Sequence, residues 1–152
     1  MNTIALPHKF TDYALDGINC IEASAGTGKT YTITHLFLRL IIENDLPLDA
    51  ILVVTFTNAA TDELRERIRR LLKTAYDVVD SNFDDAVING YKKNDELISY
   101  LKKLCKEHDS EDYRLQIALR LQLALHDIDN AHVYTIHSFC RQALSEFAFE
   151  SG

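Results

Sequence analysis

Positive charge is scarce in this sequence: 16 lysines and arginines stand against 23 aspartates and glutamates, for a formal charge of -7. That balance argues against a protein that holds nucleic acid by a broad basic surface, so any contact with a polyanion must be local. Cysteine is also sparse. Cys20, Cys105 and Cys140 are odd in number, widely spaced and without a Cys-x-x-Cys pair, which suggests neither a disulfide framework nor a zinc site and fits a reducing cytoplasm. No apolar run approaches the roughly 20 residues that a bilayer-spanning helix needs, and residues 1–10 lack the charged-then-apolar pattern of a secretory leader. A soluble, cytoplasmic chain with no membrane partner is expected, and no tandem repeat or low-complexity segment is present.

What is there fits one domain. With 152 residues and 47% hydrophobic content, the chain can bury the core of a single α/β unit but hardly of two. Residues 18–21 (INCI) precede a glycine-containing loop and a long helical pattern, the setting of a buried parallel strand. From 30 to 43 the residues Ile33, Leu36, Phe37, Leu40 and Ile41 recur at helical spacing, and Pro47 stops the helix. Residues 51–56 (ILVVTF) are continuously apolar and β-branched, the composition of a strand covered on both faces. Thr57 or Asn58 can cap the next helix, whose apolar stripe is Leu64, Ile68, Leu71 and Leu72.

Residues 74–130 change character. Leu97, Tyr100, Leu101 and Leu104, then Leu115, Leu119, Gln122 and Leu123, mark helical segments separated by polar breaks at 89–90 and 108–110. Their acidic, lysine-dotted surface reads as a solvated face. Residues 131–135 return to strand composition and 136–147 to helix. The expected organisation is an α/β fold with a partial parallel sheet flanked by helices, in which 1–73 and 131–152 form the sheet-bearing part and 74–130 a helical insertion.

The loop after the first strand reads Glu22-Ala23-Ser24-Ala25-Gly26-Thr27-Gly28-Lys29-Thr30. A strand, a small-residue loop and a helix opening with Gly-Lys-Thr offer a nucleoside triphosphate backbone N–H groups, a helix N-terminus, one ammonium and one hydroxyl. Ala23 stands where the strict pattern has its first glycine. A glycine-rich turn without a ligand is the bland alternative, and the strand before and helix after weigh against it. Hydrolysis also needs a metal-holding carboxylate at a strand end. Asp62-Glu63, Asp95-Glu96 and Asp127-Ile128-Asp129 all lie in or beside helical stretches, so the Walker B element is absent from this chain.

Three ordered segments, 21–34 (IEASAGTGKTYTIT), 52–69 (LVVTFTNAATDELRERIR) and 133–152 (VYTIHSFCRQALSEFAFESG), resemble the first motifs of UvrD/Rep-like DNA helicases. Within that group they look most like the RecB-like helicase-nuclease subunits of exodeoxyribonuclease V, with AddA-like subunits second. The resemblance implies a P-loop NTPase (RecA-like) fold that uses ATP and Mg2+. Residues Ala23, Ser24, Ala25, Gly26, Thr27, Gly28, Lys29 and Thr30 would be motif I, with Thr30 on the magnesium. Thr57 and Asn58, and later Thr135, His137 and Ser138, would lie on the path of single-stranded DNA, with Phe139 packed inward. RecC-like and RecD-like partner subunits and a role in double-strand-break repair and recombination are likewise implied.

This chain departs from the family pattern in places. Ala59 occupies a position where many relatives carry lysine, and the first glutamine is Gln116, so the glutamine that reads adenine before motif I is missing. The carboxylate motif, the second motor domain and the nuclease domain would all follow Gly152; the chain is expected to be an N-terminal part that does not unwind DNA alone. Two other readings stay open: a small P-loop phosphotransferase with its acceptor site in 74–130, and a noncatalytic module that docks partners through the acidic insertion. For the polar residues, helix caps at Thr57 and Asn58 and a helix start with a buried thiol at His137 and Cys140 are the plain alternatives. A metal site of His132, His137 and Cys140 lacks a completing ligand.

Overall fold

The computed structural model describes residues 2–5, 9–22, 28–108 and 110–150. In chain order the elements are β1 (Asn2–Ala5), β2 (Asn19–Glu22), α1 (Lys29–Glu43), β3 (Val53–Thr55), α2 (Asn58–Asp80), α3 (Asp85–Gly90), α4 (Asp95–Glu107), α5 (Glu111–His126), β4 (Val133–Thr135) and α6 (Ile136–Glu150), joined by short 3-10 turns. The strands form two parallel pairs. β1 lies beside β2 with Asn2 opposite Asn19, and β3 lies beside β4 with Val53 opposite Val133 and Thr55 opposite Thr135. Parallel neighbours need a long crossover, and between β3 and β4 that crossover is the whole run from α2 to α5.

β1 is not anticipated by the sequence pattern. Asn-Thr-Ile-Ala is too short to show a period, and its hydrogen-bond ladder comes from β2, a tertiary partner. The other strands and α1, α2 and α6 fall where composition places them, within a few residues at their ends.

α2 is the spine. Thr57 caps it, its hydroxyl oxygen accepting from the Ala60 N–H at 3.1 Å, and Leu64, Ile68, Leu71, Leu72, Ala75, Val78 and Val79 are buried along it. α1, α4 and α5 pack against these residues, and each large aliphatic side chain fully buried there contributes roughly 1.5–3 kcal/mol. Arginines lock the packing at helix ends, where the last carbonyls have no partner within the helix. Arg120 of α5 donates to the Ile42 carbonyl at 2.6 Å and pairs with Asp45 at 2.6 Å. Arg114, also of α5, donates to the Val79 carbonyl at the end of α2 at 2.7 Å. The helical segment is thereby fastened to both helices that follow strands β2 and β3.

Three surfaces differ from the sequence expectation. In α1, Ile33 is exposed while Thr34, His35, Leu38, Arg39 and Ile42 are buried beside Phe37 and Ile41. The helix lies among α2, α5 and the 3-10 turn at Phe10–Asp12, so more than one stripe is covered. In α5 the buried residues are Ile117, Ala118, Leu121 and Ala124, whereas Leu115, Leu119 and Leu123 face outward; the helix is apolar nearly all round, and its packing against α2 selects the face. β3, expected from residues 51–56 to be covered on both faces, is not. α2 packs on one face of β3, and Leu52, Val54 and Phe56, alternating along the chain, are exposed on the other.

Candidate nucleotide and DNA site

Among the described residues, the chain resumes after β2 at Gly28. It has φ 94° and ψ 14°, a left-handed conformation, and forms the N-cap of α1. Its carbonyl accepts from the Thr32 N–H at 2.9 Å. Glycine adopts this region without the Cβ penalty other residues incur, and among the described residues no atom lies within 4 Å of where a Cβ would sit. The next two residues, Lys29 and Thr30, open the helix, Lys29 exposed and Thr30 half-buried. No acidic residue occupies the first turn, so the positive end of the helix dipole meets no carboxylate from its own helix. Ala23, Ser24, Ala25, Gly26 and Thr27 lie outside the described residues.

One turn further, α1 is braced by side chains. Tyr31 donates its hydroxyl to Glu96 of α4 at 2.7 Å, and its carbonyl accepts from His35 Nδ1 at 2.8 Å and from the Thr34 hydroxyl at 2.9 Å. The Tyr31 and His35 rings lie 3.8 Å apart, with Phe10 against His35 at 4.5 Å. Burial holds the His35 imidazole below its ordinary range despite the Tyr31 carbonyl and the Glu96 charge, so it sits there as a neutral ring.

A second group forms where β3 and β4 end. Because Thr55 and Thr135 are register partners, the segments that leave both strands emerge side by side and each enters a helix. Parallel strands present ligands at their C-terminal edge for this reason. Thr57 and Asn58 emerge from β3, His137 and Ser138 from β4, all exposed.

Hydrogen bonds divide their roles. The Thr135 side chain is buried, donates to Ser138 Oγ at 2.9 Å and accepts from the Ser138 N–H at 3.2 Å. It caps α6 and orients Ser138, whose own hydroxyl proton remains available. Thr57 caps α2 and likewise keeps a hydroxyl proton. Thr55 is tied to Thr61 at 2.6 Å, fixing the turn between them.

Two aromatic side chains stand differently from the sequence reading. Phe139 does not pack inward; it is exposed at 37% on the first turn of α6. Cys140 is exposed, so the buried-thiol alternative does not hold. Phe56, which the sequence reading places in a strand covered on both faces, is 86% exposed just past the end of β3, beside Thr57. Its position one residue past a short strand is the only signal the sequence offers for this.

Residues 8–152 match the model of the UvrD/REP helicase N-terminal domain. The chain belongs to that family. It is also similar to the RecBCD enzyme subunit RecB of Haemophilus influenzae, 42% identical over 159 residues that take in 100% of this chain and 12% of the relative. The RecB of Escherichia coli is 41% identical over 91% of the chain and 11% of the relative, and that of Mycobacterium tuberculosis 37% identical over 82% and 10%. The chain thus spans about a tenth of the length of these relatives.

For a helicase domain, the strand-end carboxylates matter. Among the described residues, β3 and β4 end in Thr55 and Thr135, and only β2 ends in a carboxylate, the exposed Glu22 that leads into the loop itself. Asp62 and Glu63 lie on α2, Asp95 and Glu96 in the first turn of α4. Among the described residues no three His, Cys, Asp or Glu side chains converge as a metal cluster, and no helix is long and apolar enough to cross a membrane.

Proposed function

We propose that this chain is the nucleotide-binding and strand-contacting N-terminal part of a RecB-like DNA helicase subunit, with a P-loop NTPase fold. The observation that carries the reading is Gly28 in a left-handed N-cap directly before Lys29 and Thr30, at the head of a helix that follows a parallel strand. Among the described residues no atom lies within 4 Å of a Cβ built at Gly28 and the first turn of α1 carries no acid, which supports a fit to ATP with Mg2+. In that role the α1 N-terminus and Lys29 neutralise phosphate charge, and Thr30 presents a hydroxyl oxygen to magnesium. Ala23 to Thr27 supply the rest of motif I. Bound Mg-ATP would supply the phosphoanhydride whose cleavage drives movement.

Single-stranded DNA lies along the C-terminal edge of β3 and β4. Thr57 and Ser138 donate hydroxyl hydrogens to phosphate oxygens, Asn58 and His137 add an amide and an imidazole, and Phe56 offers a face on which a base stacks. Thr135 acts through Ser138. Contact by a few neutral donors and one ring suits a chain whose net charge is -7. Strand-end carboxylate chemistry and the second wall of the nucleotide cleft come from outside these residues, so the chain alone binds nucleotide weakly and does not unwind DNA. In the intact protein the site serves double-strand-break repair with nuclease and partner subunits.

The test is Lys29→Ala in the intact protein. ATP-dependent unwinding is expected to fall at least a hundredfold while single-strand binding without nucleotide persists. Unwinding that survives the substitution rules out the motif I assignment.

A further inference from the structure

Positive charge is scarce in this chain, yet four of its 16 lysines and arginines line one cleft of about 490 Å³ between α1, α2 and the turn before α4. α2 contributes Arg67, Arg70 and Lys73, and the turn at Lys92–Asn94 contributes Lys93. All four are exposed. Tyr31 and His35 bring the first turns of α1 into the same cleft. No carboxylate is among the lining residues, and His35 is a neutral ring. Carboxylates do stand beside the cations. Glu63 pairs with Arg67 at 2.6 Å, Glu66 with Arg70 at 3.1 Å, and Asp77 with Lys73, while Asp77 and Glu96 also accept from the hydroxyls of Tyr91 and Tyr31. Lys93 makes no ion pair with a described residue.

From this we infer that the cleft holds the phosphodiester backbone of DNA, as a continuation of the track proposed at the edge of β3 and β4. Arg67, Arg70 and Lys73 are successive i,i+3 neighbours on α2 and span roughly 9 Å of its axis, so they meet consecutive charges along a chain rather than one compact anion. Asn58 opens the same helix, roughly 14 Å before Arg67, which lets one strand touch both. The partners these cations already hold decide between a nucleic acid and an acidic stretch of protein. A carboxylate from elsewhere would only replace Glu63, Glu66 or Asp77, in exposed i,i+4 pairs that contribute little. A phosphodiester backbone does more, because it brings linked charges at regular spacing and releases condensed counterions as each cation arrives.

The inference rests on the reading of the chain as part of a DNA helicase, and its test separates the two. Binding of the nucleotide-free intact protein to labelled single-stranded DNA is measured by anisotropy across a salt series, with oligonucleotides of increasing length. Lys93→Gln, which breaks no ion pair among the described residues, is expected to lower the affinity for long strands several-fold. It should also reduce the slope of log affinity against log salt concentration by about 0.7, the value of one phosphate contact on a single strand. Glu63→Gln with Glu66→Gln, which frees both arginines, is expected to raise affinity several-fold. Adding Arg67→Gln and Arg70→Gln to that variant should then lower it at least tenfold and reduce the slope by about 1.4. Strands too short to run past the edge of β3 and β4 should bind every variant alike. Unchanged far-UV circular dichroism and nucleotide binding show that each variant is folded.

If Lys93→Gln and the arginine substitutions leave long-strand affinity within twofold and the salt slope unchanged, the cleft is refuted while the helicase reading stands. Weaker binding at an unchanged slope overturns the proposal as well, since no phosphate contact has then been lost. So does an equal loss on the shortest strands, which places the effect at the β3 and β4 edge. A fall of several degrees in the unfolding temperature with DNA affinity unchanged would make the occupant an acidic stretch of the protein itself and likewise overturn it. An intact protein that binds no DNA before any substitution refutes the helicase reading, and the cleft proposal with it.

Discussion

Tyr100 of α4 donates its hydroxyl to Glu43 in the last turn of α1 at 2.7 Å, and the same carboxylate pairs with Arg39 one turn earlier at 2.6 Å. At the other end of α1, Tyr31 gives a hydrogen bond to Glu96 of α4. α4 therefore holds both ends of the helix that opens with Lys29 and Thr30. Arg39 extends the tie to the segment before β2, donating to the carbonyls of Phe10 and Tyr13 at 2.9 and 2.7 Å. The helical segment, acidic as it is, steadies the element on which the proposed phosphate cradle is built.

The Glu43 carboxylate makes stability depend on acid. Burial pushes its pKa up, but the hydrogen bonds from Arg39 and Tyr100 and the Arg39 charge outweigh that and leave it below the usual range. A folded-state value below the unfolded one, about 4.3, gives a contribution that is complete above that pH and is lost as pH falls through the folded value. Glu43→Gln is expected to lower stability at pH 7 by about 1–2 kcal/mol and to flatten the loss between about pH 5 and 3. Thermal unfolding over that range checks it; an acid limb as steep as in the unmodified chain would assign the effect elsewhere.

Gly28→Ala isolates backbone strain from crowding. Its Cβ meets no atom of the described residues within 4 Å, so the expected penalty is that of the left-handed conformation, about 1–2 kcal/mol. The variant is expected to fold, with nucleotide affinity reduced roughly five- to tenfold as the start of α1 shifts, measured by titration with a fluorescent ATP analogue. Full affinity would mean the cradle does not require this conformation.

Phe56→Ala separates a binding residue from a packing residue. At 86% exposure its ring buries little, and the unfolding midpoint is expected to move by no more than about 0.5 kcal/mol. Loss of one stacked base removes about 1–3 kcal/mol of single-strand affinity, read by anisotropy with a labelled oligonucleotide. Unchanged affinity would leave Phe56 as part of an apolar contact instead.

Arg120→Ala removes the donor to the Ile42 carbonyl and the partner of Asp45 together. A loss of about 1–2 kcal/mol in urea unfolding is expected, mostly from the uncapped carbonyl, because a pair with so exposed a carboxylate is worth little. Asp45→Asn should therefore cost much less than Arg120→Ala; equal costs would place the stabilisation in the ion pair.

Much of the helicase-like frame is legible in the sequence. The Gly28-Lys29-Thr30 helix start, the apolar runs that became β2, β3 and β4, and the Leu64, Ile68, Leu71 and Leu72 stripe of α2 are local patterns, and local patterns survive folding when one face of an element is clearly apolar. Thr57 as the cap of α2 follows from the same chemistry.

Other features had no local signature. β1 exists because β2 offers it a ladder. The orientation of α5 is the clearest case: with apolar residues on nearly every side, sequence established that residues 111–126 form a helix, but only packing against α2 decided that Ile117, Ala118, Leu121 and Ala124 go in and Leu115, Leu119 and Leu123 stay out. Sequence determined where β2, β3, β4 and the main helices form and where the proposed phosphate-binding residues fall along the chain, because those depend on neighbours a few bonds away. Tertiary structure decided which faces are buried, which carboxylates are paired and which residues share the edge of β3 and β4, because burial and pairing are settled by atoms distant in sequence.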